Sequence, residues 1–341
     1  MKKRVLISGA NGAVGKEAVK MISEKTDQYE IICLDHNHKR TQNRIGQYKD
    51  FVSFEYADIT NINSLEPIVK NLDYVIHLAA IIPPLADEKP DLARKVNYEG
   101  TKNLIQLIEK NSPNAFLLYA SSIAVYGDRL HTPDITVGDE LIYSRGDAYA
   151  KTKIDTEKAL RESNIKWSIF RLTGIMDPEL NKPNPLMFHM PLETSFEICT
   201  TRDCGRAFVN ALEHEKEIIG NTYNLAGGES CRAKFKDFLA AAFMVSGLGK
   251  VDFPEGAFGT ANFHCGYYLD GDDLESLIHF RKDSKEVYFE MMSKAIPEWQ
   301  KFATKLFAPI IKWGMLQTSE PWQAKKSNDK EGMKQFFNIT I

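Results

Sequence analysis

Tyr149 and Lys153 lie four residues apart in Asp147-Ala148-Tyr149-Ala150-Lys151-Thr152-Lys153, which opens a predicted helix running to Leu160. At that spacing both side chains point to one face. An ammonium beside a phenol favours the phenolate and lowers the tyrosine pKa from its usual ~10, which suits it to acid/base work near neutral pH. Ser122 ends the apolar run that starts at Ala115. From an adjacent strand end its hydroxyl could hydrogen-bond a substrate oxygen while hydride moves to or from the attached carbon. A Tyr/Lys pair alone is ordinary helix-surface decoration, so the weight comes from what accompanies it.

The first companion is a glycine turn. The apolar run Val5-Leu6-Ile7-Ser8 breaks at Gly9, and Gly12 and Gly15 bracket the start of a predicted helix over Lys16 to Ile22. A strand, a tight turn and a helix N-terminus place free N–H groups and a favourable dipole where a phosphate can sit, and glycines let the backbone approach it. Gly9, Asn11, Gly12, Ala13, Val14 and Gly15 are thus candidate cofactor contacts. Their spacing is G-x-x-G-x-x-G, not the general G-x-G-x-x-G dinucleotide fingerprint.

The second companion is Asp35, at the end of the apolar run Glu30 to Leu34 and about 20 residues beyond the turn, as a dinucleotide site requires. A carboxylate there accepts from the adenosine ribose hydroxyls and repels a 2′-phosphate, favouring NAD over NADP, although His38-Lys39-Arg40 just beyond could bind a phosphate. Asp58, followed by Ile59, could accept from an adenine amino group or serve the N-cap region of a helix from about Asn63 to Lys70. The run Asp73 to Ala80 reads as a buried parallel strand, with Leu78, Ala79 and Ala80 leaving room for a ligand at its end. His77 within it reads as a core histidine satisfied by backbone. Asn97 is the odd polar residue on the inward side of a helix continuing through Ile108.

These residues need a scaffold, and the alternation of strands and helices from Met1 to about Leu160 predicts one: a doubly wound parallel α/β sheet. Such sheets bind ligands at the carboxyl ends of their strands. Gly9, Asp35, Asp58, Ala79 and Ser122 all fall at such ends.

Composition narrows the class. The 341 residues carry a formal charge of −3 with no long basic block, so nothing in the overall balance favours nucleic acid or an anionic membrane surface. Cys33, Cys199, Cys204, Cys231 and Cys265 lack C-x-x-C spacing, which argues for reduced thiols and against both a disulfide framework and a metal site. The glycine turn follows too soon for a secretory leader, and no apolar run approaches the ~20 residues of a transmembrane segment. A cytoplasmic protein is expected.

Taken together, Gly9-x-x-Gly12-x-x-Gly15, Asp35, Asp58-Ile59, His77-Leu78-Ala79-Ala80, Val96-Asn97-x-x-Gly100-Thr101-x-Asn103-Leu104, Ser121-Ser122-x-x-Val125-Tyr126-Gly127 and Tyr149-x-x-x-Lys153 resemble the extended short-chain dehydrogenase/reductases, specifically the NAD-dependent epimerase/dehydratase group. Phe170-Arg171-Leu172, Asp203 with Gly205-Arg206-Ala207, and Asn221 to Glu229 extend the likeness, which spans roughly residues 4 to 290. The resemblance implies a Rossmann-type domain over 1–165, to which the chain returns around 195–225, and a smaller substrate-binding cap over 166–341 with a helical extension. It implies Tyr149 as acid/base, Lys153 holding the nicotinamide ribose and tuning the tyrosine, Ser122 orienting the substrate oxygen, and Asn97 seating the cofactor or a relay water.

Two departures shape the expected reaction. Family dehydratases carry Asp-Glu directly after the catalytic Ser or Thr, where this chain has Ile123-Ala124. Without those carboxylates no acid/base pair is evident to expel a hydroxyl, which argues against 4,6-dehydration. Gly174 stands where sugar-nucleotide epimerases usually show a diphosphate-contacting asparagine, which argues against a UDP- or dTDP-sugar. The expected function is an NAD-dependent oxidoreductase interconverting a secondary alcohol and a ketone on a small, partly apolar molecule. The alternatives are an NAD-dependent sugar epimerase and a non-catalytic NAD-sensing protein. A homodimer is expected.

Substrate contacts are assigned to Ile123, Thr173, Phe188 and His189. The last two sit in Lys182 to Pro191, a proline-punctuated apolar stretch suited either to covering a site or to filling core. Helices are predicted over Gly228 to Ala242, Leu274 to Phe280 and Val287 to Leu306, and Phe307 to Leu316 is apolar, aromatic and broken by Pro309. That end reads as a helical extension packed on the body or a partner, with interfacial membrane contact or a lid as alternatives. Lys325 to Lys334 reads as solvated surface.

Overall fold

Seven parallel strands make the central sheet: β1 Lys3–Ser8, β2 Tyr29–Asp35, β3 Ser53–Tyr56, β4 Tyr74–His77, β5 Phe116–Ser122, β6 Lys166–Leu172 and β7 Thr222–Leu225. The structure is a computed structural model that describes residues 1–36, 38–179 and 184–339. The strand order is β7-β6-β5-β4-β1-β2-β3, so the order reverses between β1 and β4, and a crevice opens at the carboxyl ends of those two strands. Register is continuous across that point, with Leu6 beside both Ile32 and Val75. The doubly wound α/β fold is as expected.

Both faces of the sheet are covered, which explains strands that are apolar at successive positions. Val5, Ile7, Ile31, Cys33, Ile76, Leu118 and Phe170 point to one face, under helices α1 Ala13–Ile22 and α4 Thr201–Asn210. Leu6, Ile32, Leu34, Val75, Leu117 and Ile169 point to the other, under α2 Gly100–Asn111 and α3 Ala148–Arg161. Strand β7 and helix α4 bring a late stretch of chain back to the sheet, and at Gly205 a Cβ would lie 2.7 Å from Glu17 of α1.

The rest of the chain builds a second layer beyond the carboxyl ends. Ser195–Thr200 pairs in parallel with Gly174–Met176 and antiparallel with Arg232–Lys234. A core of Phe188, Phe196, Phe235, Phe238, Phe243 and Phe258 packs beneath α5 Glu298–Gln317. Several boundaries differ from expectation. The helix predicted from Gly228 begins at Phe235, because Gly228 to Lys234 form a turn and a short strand. The helix predicted over Val287 to Leu306 is two helices, Lys285–Ala295 and α5, parted at Ile296-Pro297. Pro309 does not break α5, which runs on to Gln317 with the proline on its exposed side. There the proline removes the backbone donor to the Lys305 carbonyl and crowds that oxygen, while Ala308, Ile311 and Met315 pack the other side of the helix on the aromatic core. Two further helices, Glu320–Ser327 and Lys330–Phe337, turn back over the crevice. Among the described residues no helix is long and apolar enough to cross a membrane.

Candidate functional site

The glycine turn has the geometry its spacing suggests. Gly9 has φ +68°, and a Cβ there would lie 2.8 Å from the Ala79 nitrogen. At Gly15 a Cβ would lie 2.2 Å from the Gly9 carbonyl oxygen, so any side chain would push the helix off the turn. Gly12 is the N-cap of α1, which leaves the N–H groups of its first turn facing the crevice. Asp35 reaches this turn from the end of β2: its Oδ2 accepts from the Asn11 N–H at 3.2 Å and its Oδ1 from the His36 N–H at 2.8 Å. The Asn11 Oδ1 is buried with no hydrogen-bond partner, the kind of orphaned acceptor that an arriving donor would satisfy.

A cleft of about 810 Å³ starts at Gly9, Gly12, Ala13, Val14 and Gly15, passes Leu78 and Ala80, and reaches Ser122, Tyr149 and Lys153. Three elements converge to form its floor. Asp147 caps α3 by accepting from the Ala150 N–H at 2.7 Å, which fixes the turn that carries Tyr149. One turn along, the Lys153 ammonium donates to the Ala120 carbonyl of β5 at 2.6 Å and lies 5.5 Å from the Tyr149 ring centre. Ser122, at the end of β5, lines the cleft beside Tyr149, and its hydroxyl oxygen accepts from the Ala124 N–H at 3.2 Å. Beneath them Glu157 takes two bonds from Arg171 of β6, at 3.0 and 2.8 Å, and one from the Ser121 hydroxyl at 2.5 Å. This buried pair locks α3 to β5 and β6.

Electrostatics at the floor differ from expectation. Burial of the phenol is the largest effect on Tyr149 and holds its pKa well above the usual tyrosine range, opposed by the neighbouring Ser122 hydroxyl and assisted by the nearby Asp147. Burial also pushes Lys153 down to about 7, against the pull of Glu157. The expected lowering of the tyrosine is therefore absent in this state, because the lysine that should supply the charge is itself desolvated.

Other assignments are redistributed. Asp58 is exposed, and its Oδ1 accepts from the Thr60 N–H at 2.9 Å, a bond that holds its carboxyl below the usual range. The helix predicted after it shrinks to the single turn Ile62–Leu65, capped by Asn61. Ile59 is buried against Gly100, and Ala79 presents only its backbone to the turn. Asn97 lies in a π-helical turn, Arg94–Glu99, with all its bonds internal: Oδ1 accepts from the Ile81 N–H, and Nδ2 donates to the Ile81 carbonyl and the Thr152 hydroxyl. It clamps the segment after β4 to α3 and does not face the cleft. His77 is a core histidine, held by the Ser8 and Thr101 hydroxyls at 2.6 and 2.8 Å instead of by backbone; burial drives it to about 3, so it stays neutral.

Of the four substrate candidates, two reach the cleft. Thr173 lines it, with its hydroxyl donated to the Glu197 carbonyl, and His189 lines it beside Glu320 at 3.4 Å. Ile123 is buried with Val125 and Tyr126, and Phe188 is buried edge-on to Phe253, so neither can touch a ligand. Lys182 and Pro183 of the covering stretch lie outside the described residues. The sequence reading missed the roof: Asp87, Arg145, His264, Glu320, Gln335 and Phe336 all line the cleft. Only Arg145, close before Tyr149, had a positional signal. Lys325 to Lys334, read as mere surface, belongs to the helical pair that carries this roof.

Comparison with known proteins agrees with this geometry. The model of the NAD dependent epimerase/dehydratase family matches residues 5–182. D-erythronate dehydrogenase of Haemophilus influenzae is 25% identical over 166 residues, 48% of this chain and 50% of that protein. A 3-beta-hydroxysteroid dehydrogenase of Mycolicibacterium neoaurum is 30% identical over 169 residues, 47% of this chain and 43% of its own length. The chain thus spans about half the length of the curated relatives it matches. The solved UDP-Glc/GlcNAc 4-epimerase of Campylobacter jejuni superposes with a TM-score of 0.71 at 19% identity, covering 88% of this chain and 99% of that one, a likeness of fold.

Proposed function

Because this chain belongs to the NAD-dependent epimerase/dehydratase family, we propose that it is an NAD-dependent oxidoreductase interconverting a secondary alcohol and a ketone on a small, partly apolar molecule. The observation that carries the reading is the convergence of Ser122, Tyr149 and Lys153 on one cleft that begins at the glycine turn. The turn, its orphaned Asn11 acceptor and the Asp35 carboxylate suit the pyrophosphate and ribose of NAD. When bound, the nicotinamide supplies or removes the hydride.

The chain's own residues handle the proton. Tyr149 holds its proton in this state, so it is ready to donate from its hydroxyl to a ketone oxygen while the Ser122 hydroxyl fixes that oxygen's position. In the opposite direction the phenolate must form, and the Lys153 ammonium stabilises it to the extent that the lysine is charged. Ile82, Leu186, Phe263 and Phe336 give the substrate end of the cleft its apolar wall.

One feature weighs against a nucleotide sugar and another against dehydration. At Gly174 a Cβ would lie 2.7 Å from the Phe196 ring, leaving no room for the asparagine that would hold a diphosphate. Ile123 and Ala124 are buried and supply no carboxylate for dehydration. The test is turnover of an alcohol panel with NAD. Steady NADH appearance supports an oxidoreductase, whereas epimer formation without net NADH supports the epimerase alternative and overturns the reading.

A further inference from the structure

Strand β5 brings a second aromatic ring to the floor of the cleft. Tyr119 is 1% exposed and packs in the core that includes Leu104 of α2 and Leu160 of α3. Its ring centre lies 4.7 Å from the Lys153 ammonium, and that of Tyr149 lies 5.5 Å away. The ammonium thus has one ring beside it from the sheet and one from its own helix. No carboxylate pairs with its charge. Among the described residues Lys153 makes no ion pair, and its hydrogen bond goes to the Ala120 carbonyl at 2.6 Å. Glu157, one turn along α3, is committed to Arg161, Arg171 and the Ser121 hydroxyl. His77 of β4 stays neutral, with its ring 5.7 Å from that of Tyr119. The Tyr119 hydroxyl is buried and has no hydrogen-bond partner among the described residues. Its ring, not its oxygen, is the part that meets the lysine.

We propose that Tyr119 is a positioning residue for the proton transfer: the face of its ring holds the Lys153 ammonium in its charged form beside Tyr149. The negative face of an aromatic ring attracts a cation most strongly where water is absent. Both groups are buried, Lys153 to 3% exposure. The ring therefore favours the ammonium over the neutral amine by roughly tenfold or more, which is about one pH unit in the midpoint of the lysine's titration. The consequence for turnover rests on the oxidoreductase reading, because only a charged lysine stabilises the phenolate that alcohol oxidation needs.

The test titrates the lysine itself, by nuclear magnetic resonance of the full chain carrying isotope-labelled lysine, without NAD or substrate. The Lys153 signal is assigned by its loss in Lys153→Met. Tyr119→Leu should lower the midpoint by about one pH unit or more. Tyr119→Met, which fills the space with a flexible chain, should do the same and guards against a poorly folded leucine variant. Tyr119→Phe keeps the ring face and should titrate as the wild type does. From a wild-type midpoint of about 7, the charged fraction at about pH 7 falls about fivefold in the ring-free variants, and the rate of oxidation falls with it. The proposal is overturned if the ring-free variants titrate as the wild type does, or if Tyr119→Phe moves the midpoint as far as they do. Failure of the oxidoreductase reading shows separately, as a wild type that turns over no alcohol while the shift in the lysine persists.

Discussion

Replacing Lys153 with Met tests how strongly the floor of the cleft desolvates its ammonium. Lys153 is 3% exposed, and burial pushes its pKa down to about 7. In the unfolded chain the value is ~10.4. From about pH 10.4 down to about pH 7 the native state therefore binds fewer protons than the unfolded state, and the lysine's contribution to stability falls as the pH falls. Integrated from about pH 9 to about pH 7, the loss is ~2 kcal/mol. Lys153→Met keeps most of the stem and removes the titration. The stability of the variant minus that of the wild type should thus be ~2 kcal/mol larger at about pH 7 than at about pH 9, about 3 °C in Tm for a chain of this size. The buried thiols, all raised by burial, would lower stability at the alkaline end, but they are common to both proteins and cancel. His77 stays neutral down to about 3, and it too is common to both. Urea melts of the two proteins across the range, at matched ionic strength, give the difference directly. A gap that does not change with pH would refute the assignment of a desolvated lysine.

Asp35→Ala should weaken NAD binding by about 10- to 100-fold, the value of hydrogen bonds to a charged group, and narrow the preference over NADP; titration with both cofactors checks it, and an unchanged preference contradicts the ribose role. Glu157→Gln leaves the Arg171 guanidinium buried without its counter-charge, so unfolding in urea should show a loss of about 3–5 kcal/mol. A loss below ~1 kcal/mol would mean that the pair does not bind α3 to the sheet.

What was legible in the sequence was what chain spacing alone determines. Gly9 and Gly15 announce a turn because no side chain fits at either, and Tyr149 and Lys153 share a face because a helix repeats every 3.6 residues. The doubly wound parallel sheet followed from the alternation of strands and helices. The roof was not legible, since Glu320, Gln335 and Phe336 reach the cleft only after two helical turnbacks that no local pattern specifies. Phe188 and Ile123 looked like pocket residues because an apolar side chain reads the same in a core and in a wall. Asn97 looked like a ligand contact, yet the extra residue of its π-helical turn accompanies a side chain bound wholly to Ile81 and Thr152. The tyrosine's electrostatics failed for a different reason: spacing shows the neighbour, and only burial shows whether that neighbour keeps its charge.

The proposed chemistry stands or falls on the phenol oxygen at the floor of the cleft. Tyr149→Phe removes that oxygen and little else. NAD binding measured by calorimetry should stay within about threefold of wild type, while turnover on whichever alcohol the wild type oxidises should fall about 100- to 10,000-fold, the range for loss of a general acid/base. Comparable turnover in the variant would contradict the assignment of Tyr149 as the group that moves the proton.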